Sequence, residues 1–307
     1  MNKGFMSGSP GIWGFSGTGR ADRITDRDAT ILYVSSGHAN ASNSNEGTDP
    51  EYPLAAISSA VASSRLEDGS TIYVAPGTYA ESVGVTALMP DYVNLIATGP
   101  KGSVFWGPAA AGATLTLAAN GWLVQGFNLQ CPDTTDGNAA IEVTGDYNEI
   151  VDCTIYGAAD EVIGIDLNAC SFCRVSGCLF TTIQTTLGAA RAITTTAAPD
   201  NCLIESNLVT ECDNGFVGDF VSCLFRGNIF HGAGTLVMTL ALDTDETGAT
   251  GKNNVVTDNF LGLDYTTAAY GSGVGDSWLG NLTDPAGETT PGATVSDTGV
   301  TIAVPAA

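Results

Sequence analysis

The sequence predicts an all-β fold, a single-stranded right-handed parallel β-helix with a short N-terminal capping helix. Three observations carry this. The composition suits short strands joined by tight turns, with 38 Gly and only 14% charged residues among 307. Segments 148–155, 173–180, 202–209, 223–230 and 254–261 align without gaps at intervals of roughly 21 to 31 residues, about one turn of a solenoid. Each column of that alignment also keeps one class of side chain.

Ile150, Val175, Ile204, Phe225 and Val256 form one apolar column, and Ile155, Phe180, Val209, Phe230 and Leu261 a second. Two small polar columns run between them: Asn148, Cys173, Cys202, Cys223 and Asn254, then Cys153, Cys178, Asn207, Asn228 and Asn259. Equivalent residues of successive coils lie about 4.8 Å apart, so asparagines can bond in a ladder. Asn also tolerates the left-handed backbone of a sharp corner, and Cys fits the same slot as a small apolar residue. A further strand precedes these segments at 140–143, 164–167 and 192–195, alternating apolar and polar as a sheet with one wet face does. Segment 124–129 fits the apolar positions only.

Residues 1–29 form a Gly/Ser-rich arm with Phe5, Trp13 and Phe15 as aromatic anchors and Arg20 and Arg23 among its cations. The arm reads either as a disordered terminus or as a docking segment that orders on a partner. The β-helix is expected over 30–263, with the capping helix near 53–66, where Leu54, Ile57 and Val61 share a helical face. The repeat fades beyond 263. Residues 264–307 are expected to form a C-terminal cap or extended tail, with 300–304 alternating like a strand.

The run Ile-Leu-Tyr-Val-Ser-Ser-Gly at 31–37, the turn Asn-Glu-Gly-Thr at 45–48, the apolar stretch from Tyr52 to Val61 and Thr-Ile-Tyr-Val-Ala-Pro-Gly-Thr-Tyr at 71–79 follow one another. This opening resembles that of pectin-lyase-like β-helix proteins, including phage structural proteins. In those, a strand, a polar loop and a short helix precede the first full coil. The resemblance implies a helix that covers the open end of the solenoid, and a homo-oligomer, expected as a trimer.

The net charge of −23 argues against nucleic-acid binding and anionic membranes. No secretory signal or membrane-spanning run is seen, so synthesis in a host cytoplasm is expected. The eight cysteines read as buried small hydrophobes. The Cys170–Cys173 pair lacks a second pair or suitably placed histidines for zinc, His38 and His231 being the only two. Glu142 and Asp166 align one coil apart on an outward face. They read either as a solvated acidic face or as a calcium site, and no other cofactor is expected. The Asn-Thr-Asp, Asp-Asp, Gly-His-Gly and Arg-Ile-Lys runs of polygalacturonases are absent, as is the Arg-rich segment of pectate lyases.

These features lead to the expectation of a non-enzymatic virion structural protein, a capsid decoration or a tail or fibre component. Its arms would bind viral capsid or tail proteins, with a cell-surface glycan as a further ligand. The alternative is a polysaccharide-binding or polysaccharide-degrading β-helix enzyme, which would need an aromatic or acidic groove along one outer face; Trp106, Trp122 and Tyr156 are the available aromatics and form no clear cluster. A bacterial surface adhesin would need an export route.

Overall fold

The computed structural model describes residues 29–108, 112–132, 138–157, 163–185, 190–231, 238–247, 252–262, 265–271, 275–283 and 293–295. Each circuit of the chain lays one short strand into each of three sheets, and each strand pairs with its counterparts in the circuits before and after. The first sheet runs from Ile31–Val34 to Ser277–Leu279 and the second from Gly77–Ala80 to Ala293–Val295, each with 10 strands. The third runs from Val83–Val85 to Tyr265–Gly271 with 8 strands. Among the described strands only the pairing of Asn281–Thr283 with Ala293–Val295 is antiparallel. The architecture is the right-handed parallel β-helix.

The sequence columns become the core. Ile150, Val175, Ile204, Phe225 and Val256 are successive register partners in the first sheet. Ile155, Phe180, Val209, Phe230 and Leu261 are partners in the second. All ten are buried, and the first column continues backwards through Val124, Leu95 and Ile72 to Leu32. In the third sheet Ile141, Ile165 and Ile193 fill the remaining side of the interior. Such stacking buries one side chain of each strand against like neighbours above and below, the cross-strand unit that stabilises sheets.

Between the first and second sheets the chain turns through two residues per coil. In the second polar column Asn207 Nδ2 donates to Asn228 Oδ1 at 3.0 Å, Asn228 Nδ2 to Asn259 Oδ1 at 2.9 Å and Asn259 Nδ2 to Asn281 Oδ1 at 2.9 Å. The asparagines do not take the left-handed conformation expected of them. That role falls to the residue before: Asp152, Gly177, Ser206, Gly227, Asp258 and Gly280 all have φ between 54° and 66°. The reason is division of labour. One corner residue reverses the chain outside, which leaves the next free to point its amide inward.

Two boundaries differ from the sequence reading. The helix spans only Ile57–Val61, because Leu54 pairs with Val34 as a parallel bridge instead of joining it. Glu81, from the next circuit, caps the helix: its carboxylate accepts from the Ile57 and Ser58 amides at 2.7 and 2.9 Å. The helix packs on Ile31–Val34 and Val83–Val85, strands at the start of the first and third sheets. At the other end the coils continue past 263. Trp278 pairs with Val256, and Asn281 accepts from the Asn259 amide. Gly- and Thr-rich surroundings mask this last register in the sequence. Residues 1–28 and 300–304, with the docking arm and the terminal strand expected there, lie outside the described residues. No helix among the described residues is long and apolar enough to cross a membrane.

Candidate functional site

Two outer faces carry clustered charge, and they differ in kind. On the first sheet Arg174 donates to Glu205 through Nε at 3.1 Å and Nη2 at 2.7 Å, and Arg226 binds the other carboxylate oxygen. Glu149 lies 3.8 Å from Arg174. Burial tends to raise the Glu205 carboxyl, but the two guanidinium groups outweigh it and hold it below the usual range. This set is charge-satisfied and reads as a latch across coils.

The outer face of the third sheet is different. Thr116, Glu142, Asp166 and Thr194 form one outward column by register, and Val217 and Asp243 continue the face on later coils. Asp166 accepts from the Thr196 amide at 2.8 Å and hydroxyl at 2.5 Å. Arg191 donates to Thr194 Oγ1 at 3.0 Å and forks onto both carboxylate oxygens of Glu246. Beyond the strand ends, Asp219 accepts from the Thr247 amide at 3.1 Å and hydroxyl at 2.8 Å, and Lys252 Nζ lies 3.3 Å away. The same ammonium is 3.6 Å from Asp245, whose amide donates to Asp243 Oδ1 at 3.1 Å.

This chain of contacts pushes two neighbouring acids in opposite directions. Burial raises the Asp243 carboxyl, and the like charges of Glu246, Asp245 and Asp219 add to it, against one amide bond from Asp245. Asp219 is also raised by burial, but the Thr247 hydroxyl and amide and the Lys252 ammonium win and hold it below the ordinary carboxylate range. One carboxyl is thus biased to keep its proton and its neighbour to lose it, the pairing that acid–base chemistry uses.

Glu142 and Asp166, the sequence candidates for calcium, are register partners on this face. Thr196 occupies both Asp166 oxygens, and among the described residues no third acidic or histidine ligand joins the pair in a metal-sized group. Asp219 and Asp243 escaped the sequence reading because they fall at and beyond strand ends. The usable signal was Asp243 following inward Leu242. Trp106 and Trp122, two of the aromatics available for a groove, are fully buried; their indole nitrogens donate to the carbonyls of Glu81 and Pro90. Among the exposed aromatics, Tyr147 and Phe172 stack at 5.2 Å on a corner; the half-buried Tyr33 and Tyr73 line a pocket of about 420 Å³ with His38, Pro50 and Pro53. Phe5, Trp13, Phe15, Arg20 and Arg23 lie outside the described residues. All eight cysteines are buried and unpaired.

No protein-family model matches the chain, and no curated protein matches it by sequence. Solved structures do. Pectin methylesterase from carrot matches with a TM-score of 0.53 at 13% identity, over 86% of this chain and 86% of that one. Pectin methylesterase from Aspergillus niger matches at 0.48 and 15%, over 89% and 93%. A rhamnogalacturonan lyase matches at 0.45 and 10%, over 84% and 88%. The expectation of a non-enzymatic chain is corrected here: the carrot structure, which shares the fold, is that of an enzyme. At these identities the likeness speaks for architecture, and the chain has the pectin-lyase-like right-handed β-helix fold that it shares with carrot pectin methylesterase.

Proposed function

We propose that the chain is a polysaccharide-cleaving enzyme that works by acid–base chemistry on the outer face of the third sheet. Asp243 is the proton donor and Asp219 the ionised partner. The observation that carries this reading is the contact network that ties the two carboxyls together: Lys252 lies 3.3 Å from Asp219 and 3.6 Å from Asp245, whose amide donates to Asp243, and the opposite displacement of the two acids follows from these surroundings. A glycosidic oxygen is a poor leaving group until protonated, so a carboxyl biased to keep its proton lowers that barrier. An ionised carboxylate beside it can activate water or stabilise the developing positive charge on the sugar. Arg191 and Lys252 hold Glu246, Asp219 and Asp245 in place, which keeps the charges that raise Asp243 close to it.

The test is release of new reducing ends from a panel of neutral and acidic polysaccharides. Asp243→Asn is expected to lower the rate by about 10²- to 10⁴-fold, the usual contribution of a positioned acid, with glycan binding retained. The rate should fall as pH rises through the elevated Asp243 value, where the donor proton is lost. It should also fall as pH drops through the depressed Asp219 value. Cleavage unchanged in Asp243→Asn, or no cleavage of any polysaccharide, sinks the assignment.

A further inference from the structure

The cysteines supply a second site, independent of the glycan reading. Cys173 and Cys202 stand in the first polar column on successive coils, where one small residue per coil is needed. Cys170 is an addition to that column: the bridges from Ser171 to Asp200 and from Asp200 to Val221 put Pro199 and Phe220 in its place on the following coils. Ala169 and Phe172, on either side of it, are both left-handed, with φ of 54° and 56°. The result is three thiol sulfurs within 4.8 Å of one another, on residues exposed by 0%, 2% and 1%.

The frame around them is fixed. The Asp200 amide donates to the Cys170 carbonyl at 2.9 Å and the Leu203 amide to the Cys173 carbonyl at 2.8 Å, so both coils are locked behind the sulfurs. A metal–sulfur bond of about 2.3 Å in a planar threefold arrangement spaces sulfurs about 4 Å apart, which this group meets with little movement. All three donors are soft. Soft thiolates in a three-sulfur set suit copper(I).

We propose that Cys170, Cys173 and Cys202 bind one copper(I) ion in three-coordinate thiolate geometry. Each thiol that ligates as thiolate releases its proton to solvent, and no change of oxidation state is involved. The buried position implies that the ion enters during folding.

The experiment uses the full chain produced in copper-supplemented cells, purified reduced and without oxygen, then challenged with bicinchoninate as a copper(I) competitor. The expected result is one copper per chain, with near-ultraviolet thiolate-to-copper absorption. Cys202→Ser and Cys170→Ser should each retain at least tenfold less. Cys212→Ser, which alters a buried cysteine outside the group, should retain the full equivalent. Because Cys202 is a core position, Cys170→Ser at the turn serves as the variant that tests the site if Cys202→Ser does not fold. Wild type stripped by the competitor, or copper retained equally in Cys170→Ser, overturns the proposal.

Discussion

Each amide of the Asn207, Asn228, Asn259 and Asn281 column does several jobs. Asn228 Oδ1 accepts from both the backbone and side-chain nitrogens of Asn207, at 3.1 and 3.0 Å, while its Nδ2 reaches the Ile204 carbonyl at 2.9 Å. Asn228→Ala therefore takes a partner from two buried donors and two buried acceptors. The expected loss is about 3 kcal/mol by chemical denaturation, since each unsatisfied buried group costs about 1–3 kcal/mol. Glu205 gives a prediction with a sign. Its folded value lies below the unfolded one, so its stabilisation is present above the unfolded value and is lost as pH falls through the folded value. The stability gap between wild type and Glu205→Gln should be largest near neutrality and close in acid, as read from denaturation midpoints across pH. At this scale the sequence revealed the columns because the same residue types recur in them. It hid the left-handed corner because Asp, Gly and Ser share that place and leave no single letter to follow.

Among the elements, the short helix shows how pattern can mislead. Leu54, Ile57 and Val61 fit a helical face, yet Leu54 is a β-bridge residue and only Ile57–Val61 is helical. A residue before a turn can fall into helical spacing by accident, and no local side chain caps the N-terminus of the helix. Its cap, Glu81, lies 24 residues from Ile57, beyond the reach of any local rule. Glu81→Ala should cost about 1–2 kcal/mol, the usual price of losing a cap. Hydrogen exchange should speed up at the Ile57 and Ser58 amides while the central coils keep their protection. The third-sheet strands were legible from alternation alone, and with them the Glu142 and Asp166 column. The acids that make the candidate site were not, because their significance comes from Lys252, Thr247 and Glu246, brought in by loops of varying length.

For the molecule as a whole, the coils touch only their neighbours, so stability is close to a sum over interfaces. Removing a large side chain in the middle should then divide the stack. Phe225 is fully buried between Ile204 and Val256 in its column. Phe225→Ala is expected to cost about 3–5 kcal/mol and to split a single calorimetric transition into two, one for the coils on each side. A single transition that merely shifts would show that the solenoid melts as one unit.

From Leu123 to Leu261 the corner between the first and second sheets never changes length, while the loops on the other two edges do. One added residue there would turn every side chain of the following second-sheet strand from core to solvent. The corner is therefore an edge closed to insertion, and the remaining two are open to it. An insertion scan should recover folded variants from two edges and almost none from the third. The solenoid thus has a fixed spine along which its history of gained and lost residues cannot be written, and two margins on which it can.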